Sequence, residues 1–240
     1  MNIFDFPPIA AALDAASTVL GALGGVVSPG IAIVLVTIAI RAALIPLNLA
    51  VVRAEGHRRR IAPQLARLRS RYAKQPDRLQ KETLALYAAE KVSPIAGFLP
   101  GLAQAPVLTL VYALFTSTTI DGHANTLLNA TLLGAPLGRH LIWAVGGALT
   151  TDLVAVCLIV VIALIAWLSR RASRRIALPV EPSRQRIAEV LSFAPFLTVV
   201  FASIVPLAAA LYLAVSTAWT LVERQLMRKA VWTGSAGSAA

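Results

Sequence analysis

The sequence predicts an all-α integral membrane protein: a five-transmembrane-helix bundle with a cytoplasmic helical hairpin and an outer interfacial N-terminal helix. Three observations support this fold class. Of the 240 residues, 58% are hydrophobic, several apolar runs are long enough to cross a bilayer, and the basic residues cluster between those runs. Soluble domains are only roughly 45–50% apolar. The composition therefore excludes an ordinary soluble domain.

The apolar runs define the spans. Residues 2–25 have mixed polarity, which favours a helix lying on the outer membrane surface. Gly30–Val52 is a run of 23 residues, and at ~1.5 Å per residue it covers ~35 Å, enough for a ~30 Å hydrocarbon core. Similar runs follow at 94–117 and 149–168. The stretch 190–222 is too long for one span and contains Pro206, so it predicts two short spans beside locally thinned bilayer.

Charge asymmetry predicts the orientation. Twenty of the 22 Lys and Arg residues lie between the first and second spans, after the third span, or at the C-terminal end, and only Arg41 and Arg139 lie elsewhere. Cytoplasmic loops carry the excess of Lys and Arg in membrane proteins. We therefore expect a multi-pass membrane protein with its N-terminus outside and its C-terminus in the cytoplasm.

These patterns give the element boundaries. In order, they are an outer interfacial helix at 1–27, a first span at 28–52, a cytoplasmic helical hairpin at 53–93, a second span at 94–118, an outer loop at 119–148, a third span at 149–169, a cytoplasmic loop at 170–189, a fourth span at 190–205, a fifth span at 206–227 and a cytoplasmic tail at 228–240. The outer loop is expected to be partly helical.

The cytoplasmic segment after the first span is rich in charge but patterned. Ile61, Leu65 and Leu68 recur at helical spacing, and Pro76 interrupts the pattern before a second helix. Two antiparallel helices are favoured over a solvated charged linker. Five arginines of the first helix are predicted to contact partners: Arg58, Arg59, Arg60, Arg67 and Arg71.

Arg41 is the most costly residue of the sequence, because it lies 11 residues from either end of the first apolar run. Its side chain cannot reach an interface that is ~16 Å away along the helix, and a charge there costs ~2.5–3.5 kcal/mol. One explanation is a buried pair with Asp152, which lies near the outer end of the third span. A hydrated cavity inside the bundle is favoured, because the predicted depths of the two residues differ.

Other polar residues of the spans are predicted to line the same cavity. Thr37 precedes Arg41 by one helical turn and shares its face. The remaining candidates are Gln104, Thr198, Ser203, Ser216, Thr217 and Thr220. Each hydroxyl alone is weak support, because Ser and Thr in membrane helices often bond their own backbone.

No motif predicts catalysis. The sequence has no HExxH, GxSxG or P-loop pattern, no paired intramembrane carboxylates and no His–Cys cluster. We therefore expect no catalytic residues, no metal, no cofactor, no small-molecule substrate and no enzymatic activity. A cation held in low dielectric attracts anionic segments of a partner.

An ordered series of residues resembles the YidC-type membrane protein insertases, the Oxa/Alb group of bacteria, mitochondria and chloroplasts. The resemblance covers roughly residues 28–228. Its motifs are Ile40-Arg41, Ile45-Pro46-Leu47, Pro63-Gln64, Ala85-Leu86-Tyr87, Ala89-Glu90-Lys91-Val92, Pro94, Gly97, Pro100, Gln104-Ala105-Pro106, Tyr112, Leu211-Tyr212, Ser216 and Gln225.

The resemblance implies a location in the prokaryotic inner (plasma) membrane and a function. It implies a membrane insertase and chaperone for protein transport, whose hydrophilic groove opens to the cytoplasm and to lipid. Arg41 and Thr37 match groove positions, the second and fourth spans would form an apolar slide for client helices, and the cytoplasmic hairpin would receive clients. The implied partners are nascent membrane proteins and the lipid bilayer, with the ribosome and the Sec translocon as further candidates.

Two features differ from the family pattern. Leu213 stands where members frequently have a second aromatic, and residues 233–240 are small and uncharged where many members have a long basic tail. Two other functions stay open: a small anion channel or solute carrier using Arg41, and a purely structural subunit in which Arg41 is dispensable.

Overall fold

The computed structural model describes residues 7–90, 109–110, 112–114, 119–120, 123–125, 130–140, 149–177 and 182–237. The described part is mostly helical. Its helices are α1 (Pro7–Val26), α2 (Pro29–Ala43), α3 (Ile45–Arg71), α4 (Pro76–Ala89), α5 (Leu149–Arg175), α6 (Pro182–Leu191), α7 (Ala194–Ile204) and α8 (Leu207–Gly237). Its strands are β1 (Thr119–Ile120), β2 (His123–Ala124), β3 (Thr131–Leu132) and β4 (Ala135–Pro136). Residues 109–110 and 112–114 are also helical.

Two segments of the described chain are long and apolar enough to cross a membrane, Asp152–Arg175 and Gln185–Ile204. A third is obtained if Pro29–Ala43 and Ile45–His57 form one interrupted span. The chain is thus an α-helical membrane protein, as the composition predicts. The count of five spans and the cytoplasmic hairpin stay predictions, and most of the predicted second span lies outside the described residues.

The chain divides into two compact units. The first comprises Met1–Ala43 and Gln104–Leu221, and the second comprises Leu44–Ala103 and Val222–Ala240. In the first unit, α5 packs most extensively against α7, and α1 packs against α2. Its core includes Leu114, Leu137 and Ile162, together with three consecutive alanines at the start of α8, Ala208–Ala210. Small residues allow neighbouring backbones to approach closely. In the second unit, α3 contacts α4.

The predicted first span is not one continuous helix. It breaks at Leu44, between α2 and α3. The cause is Pro46, at the start of α3, which has no N–H to donate and whose ring conflicts with the carbonyl four residues earlier. From Ile45, α3 runs without interruption to Arg71, so no helix end separates the predicted span from the predicted cytoplasmic segment.

The predicted partly helical outer loop is wrong for its described residues, which form two antiparallel β-hairpins, β1–β2 and β3–β4. Leu133 and Gly134 connect β3 to β4 with positive φ angles of 51° and 86°. Two successive positive φ angles are typical of the type I′ turn that closes a two-residue hairpin. A helical periodicity cannot form across such a turn.

The predicted break at Pro206 is present, because α7 ends at Ile204 and α8 begins at Leu207. Val205 is extended, with φ −81° and ψ 163°, as expected for the residue before a proline. The segment after β4 pairs with the backbone at this break. Leu207 N–H donates to Arg139 O at 2.9 Å, and Ala208 N–H donates to Leu137 O at 3.0 Å.

The remaining helices differ from the predicted boundaries. Helix α5 continues to Arg175 and α6 occupies 182–191, where the sequence predicts a loop at 170–189. A turn at residues 192–193 separates α6 from α7. Helix α8 has 31 residues and continues to Gly237 through most of the predicted tail. Apolar composition alone does not locate helix ends that lie in polar sequence.

Leu137 should contribute strongly to stability, because its side chain is 0% exposed beside the helix break. Leu137→Ala should destabilise the fold by about 2–5 kcal/mol, as expected for a leucine removed from a packed core. Leu133→Ala is the matched control, because Leu133 lies in the same hairpin but is 81% exposed. Thermal unfolding of the purified protein in detergent measures both. Equal shifts of the two Tm values would contradict the conclusion that Leu137 contributes more to stability than Leu133.

Candidate functional site

Three polar side chains meet in the interior of the first unit. Arg41 on α2 is 3% exposed, and Thr37 and Ser216 are also buried. Arg41 Nε donates to Ser216 Oγ at 2.9 Å, and Arg41 Nη2 donates to the same oxygen. We call Thr37, Arg41 and Ser216 the arginine cluster.

The helices position this cluster by their periodicity. Thr37 and Arg41 are four residues apart on α2, so they share one face with Ile33, which is also buried. Thr37 Oγ1 donates to Ile33 O at 2.7 Å, which keeps the hydroxyl on its own helix. On α8, Tyr212 and Ser216 show the same spacing and are both buried. The two buried faces bring the guanidinium to the serine.

Three further candidates bond their own helices, as Thr37 does. Thr217 Oγ1 donates to Leu213 O at 2.6 Å, and Thr220 Oγ1 donates to Ser216 O at 2.9 Å. Ser203 Oγ likewise donates to Val200 O at 2.7 Å. These hydroxyls bond their own helices, the alternative that sequence analysis favours for any single one. Gln104 lies outside the described residues.

Arg41 is more enclosed than the sequence predicts. A hydrated cavity would leave the guanidinium in contact with water, whereas only 3% of the residue is exposed. Protein groups take the place of water, and Ser216 Oγ accepts hydrogen bonds from two guanidinium nitrogens. Water around the guanidinium stays a prediction.

A pair of polar contacts in the second unit was missed by sequence analysis. Asn48 Nδ2 donates to Glu223 Oε2 at 3.0 Å, and Glu223 is 8% exposed. Its Oε1 has no hydrogen-bond partner among the described residues. Farther along the same two helices, Arg228 forms an ion pair with Glu55, with 2.9 Å between Nη2 and Oε2.

A signal for these contacts existed in the sequence. Glu223 lies within the predicted fifth span, seven residues after Ser216, and two helical turns place it on the same side of α8. Like Asp152, Glu223 is an acid within or near a predicted span. Asn48 was visible as one of the few polar residues of the first apolar run.

The five predicted contact arginines all lie on α3. Arg60, Arg67 and Arg71 are exposed, and Arg59 is partly buried. The guanidinium carbon of Arg71 lies 5.7 Å from the ring centroid of Tyr72. The side chain of Arg58 is outside the described part of the structure. Positions 60, 67 and 71 follow helical spacing, so the exposed arginines form one basic face.

The cluster can bind a negatively charged group but has no catalytic chemistry of its own. A guanidinium presents five N–H donors and no acceptor, and it stays protonated. A hydroxyl of serine is a neutral acceptor, and a carboxylate is a stronger one. No group of three or more His, Cys, Asp or Glu able to hold a metal ion occurs among the described residues.

The fold and the arginine cluster together define a helical membrane protein with a buried cation between two of its helices. Residues 21–233 match the model of the 60Kd inner membrane protein family. The chain belongs to this family, in the group of YidC-type insertases.

Curated relatives carry the name membrane protein insertase YidC. The relative from Zymomonas mobilis is 31% identical over 185 residues, 76% of this chain and 31% of that protein. The relative from Clostridium perfringens is 37% identical over 89 residues, 37% of each chain. The one from Marinobacter nauticus is 38% identical over 100 residues, 41% of this chain and 18% of that protein. The aligned parts thus cover well under two thirds of each relative's length. These are bacterial proteins, and the chain is a prokaryotic membrane protein.

Ser216→Ala should destabilise the first unit, because it removes an acceptor from a buried guanidinium. Hydrogen bonds to charged groups contribute about 1.5–3 kcal/mol, and we expect a loss of that size in the free energy of unfolding. Thr217→Val is the matched control, because it removes a hydroxyl that bonds only its own helix in the structure. Thermal unfolding in detergent compares the two. A larger loss for Thr217→Val than for Ser216→Ala would contradict the role of Ser216.

Proposed function

We propose that the protein is a membrane protein insertase and chaperone. It accepts hydrophobic client helices into a hydrophilic groove open to the cytoplasm and releases them laterally into the lipid bilayer. The observation that carries this proposal is the arginine cluster, in which a buried guanidinium on a membrane helix is bonded to a neutral serine. Family membership and the names of the relatives point in the same direction.

In the Arg41–Ser216 contact, a client can replace Ser216 as the hydrogen-bond acceptor of Arg41. Ser216 Oγ is a neutral acceptor, and an acidic or polar segment of a client offers a stronger one. The client segment would replace Ser216 at the guanidinium as water enters the groove from the cytoplasm. This exchange lowers the cost of moving a polar segment into the membrane, which is several kcal/mol for an unpaired group. The enclosed cluster is then the resting state, and the hydrated groove is the engaged state.

Lipid partitioning would drive release. Helix α7 has a row of exposed apolar side chains, Leu197, Val200, Phe201 and Ile204. A client helix that slides along this surface would move from contact with α7 into contact with lipid. Its backbone polar groups stay paired throughout, since the hydrogen bonds of a helix are internal. The membrane potential contributes ~2.3 kcal/mol per charge per 100 mV, which favours movement of an acidic tail to the positive side. No nucleotide is needed.

The basic face of α3 would receive clients before insertion. Its exposed arginines, Arg60, Arg67 and Arg71, suit the acidic tails of clients and the phosphates of ribosomal RNA. In the proposed orientation this face lies in the cytoplasm, where nascent chains emerge. The ribosome and the Sec translocon are the candidate partners at this stage.

A small anion channel or solute carrier is the rival function for a buried cation. It requires a path open in turn to both sides of the membrane. Among the described residues, the enclosure of Arg41 does not favour such a path. Uptake of chloride or organic anions by liposomes containing the purified protein separates the two functions, because an insertase is expected to give none above protein-free liposomes.

Arg41→Ala should impair insertion of clients that carry an acidic tail. Loss of one charge-assisted hydrogen bond, about 1.5–3 kcal/mol, corresponds to an insertion rate lower by about tenfold or more. Arg41→Lys should retain part of the activity because it retains the charge. Insertion of a short radiolabelled client into proteoliposomes, scored by protease protection, gives the rates.

Arg53→Ala is the control for loss of one positive charge, because Arg53 is exposed on α3. It should leave insertion within about twofold of the unaltered protein, since exposed charges contribute little. A client whose tail acids are replaced by amides should be less sensitive to Arg41→Ala. Full activity of folded Arg41→Ala with every client tested would refute the role of Arg41.

A further inference from the structure

A second basic site lies at the end of α5, away from the arginine cluster. Five residues line a cleft of about 340 Å³ there: Trp167, Arg170, Arg171, Arg174 and Arg175. Their spacing of three or four residues places all five on one face of the helix. Small-molecule sites are typically about 300–1,000 Å³, so the cleft has room for a ligand rather than for a single water or ion.

One wall of the cleft is held in place by the turn between α6 and α7. Arg170 Nε donates to Ser192 Oγ at 3.1 Å, and Ser192 Oγ donates to Glu189 O at 2.7 Å. The Arg170 guanidinium carbon also lies 3.8 Å from the ring centroid of Phe193. A guanidinium fixed by a hydrogen bond and a ring loses less freedom when it binds an anion.

The same face continues as an apolar stripe. Leu153, Val156, Val160, Leu164 and Trp167 are all exposed and follow one another at helical spacing towards Arg171. These residues belong to a segment that is long and apolar enough to span a membrane. Trp side chains are typical of the level of lipid headgroups. The cleft therefore lies where an apolar surface for acyl chains meets a cluster of cations.

We propose that this cleft binds the phosphate headgroup of an anionic phospholipid, with the acyl chains along the apolar stripe. Charge complementarity identifies this occupant: four arginines line the cleft, and no acidic side chain is among its described lining residues. A neighbouring cleft of about 630 Å³ shares Arg174 but is also lined by Glu189, which disfavours an anion. A soluble phosphate or an RNA would use the arginines but not the apolar stripe.

The test uses the full chain in vesicles, in a variant in which every tryptophan except Trp167 is replaced. Brominated phosphatidylglycerol and brominated phosphatidylcholine are the two quenchers. The first should quench Trp167 fluorescence at a mole fraction at least about tenfold lower than the second. Each basic residue near an anionic surface contributes about fivefold in affinity.

Two sets of substitutions locate the effect. Arg170→Gln, Arg171→Gln, Arg174→Gln and Arg175→Gln together should remove the preference for phosphatidylglycerol. The matched control has the same loss of charge on α3, Arg53→Gln, Arg60→Gln, Arg67→Gln and Arg71→Gln, and it should retain the preference. If the first set fails to fold, Ser192→Ala takes its place. This variant retains every charge, and it should weaken the preference for phosphatidylglycerol about two- to threefold because it frees Arg170.

Three results would overturn the proposal. The first is equal quenching by the two lipids in the protein with its arginines intact. The second is competition by millimolar glycerol phosphate as effective as that of the lipid, which would make the site one for a free anion. The third is a cleft variant that retains the lipid preference but loses binding of a single-stranded RNA oligonucleotide, which would make the surface a nucleic-acid contact.

Discussion

The contact between Arg41 and Ser216 is the constraint on which the functional account depends. A guanidinium within a membrane span is costly. Arg41 lies in the last turn of α2, and Ser216 of α8 supplies an acceptor to it at 2.9 Å from a buried position. The surrounding core is made of small and apolar residues, including Ala208–Ala210, that allow the helices to approach. The packing of the first unit thus serves to hold one cation away from lipid.

In the proposed function, this arrangement lets Arg41 exchange one hydrogen-bond acceptor for another. A stronger acceptor that reaches the guanidinium would replace the neutral hydroxyl of Ser216. An aspartate partner in place of Ser216 would hold the arginine more tightly and would compete with an acidic client. In the proposed function, a weak internal acceptor would stabilise the resting state and leave the arginine responsive to a client.

Sequence reasoning identified the membrane class, the break at Pro206 and the exceptional position of Arg41, because each depends on composition or on one residue. Sequence reasoning did not predict the break at Leu44, although Pro46 is part of the sequence. Hydropathy is averaged over a whole span, so it does not reveal an interruption of the backbone. Sequence reasoning also predicted helix in the outer loop where β-hairpins form, since a type I′ turn at Leu133 and Gly134 has no apolar periodicity. The contact between Asn48 and Glu223 depends on which helix faces meet, and a single sequence does not specify helix pairing.

The most direct test of the central claim is site-specific photocrosslinking during translation. A photoreactive amino acid replaces Thr37, beside Arg41 in the arginine cluster, and a second variant carries it at Leu153, on the exposed face of α5. The account predicts that a ribosome-bound client with a short acidic tail crosslinks from position 37 through its polar tail, and that this crosslink is lost with Arg41→Ala. Crosslinks from position 153 should be to lipid or absent. A client that crosslinks from position 153 but never from position 37 would contradict the claim that the buried arginine receives the client.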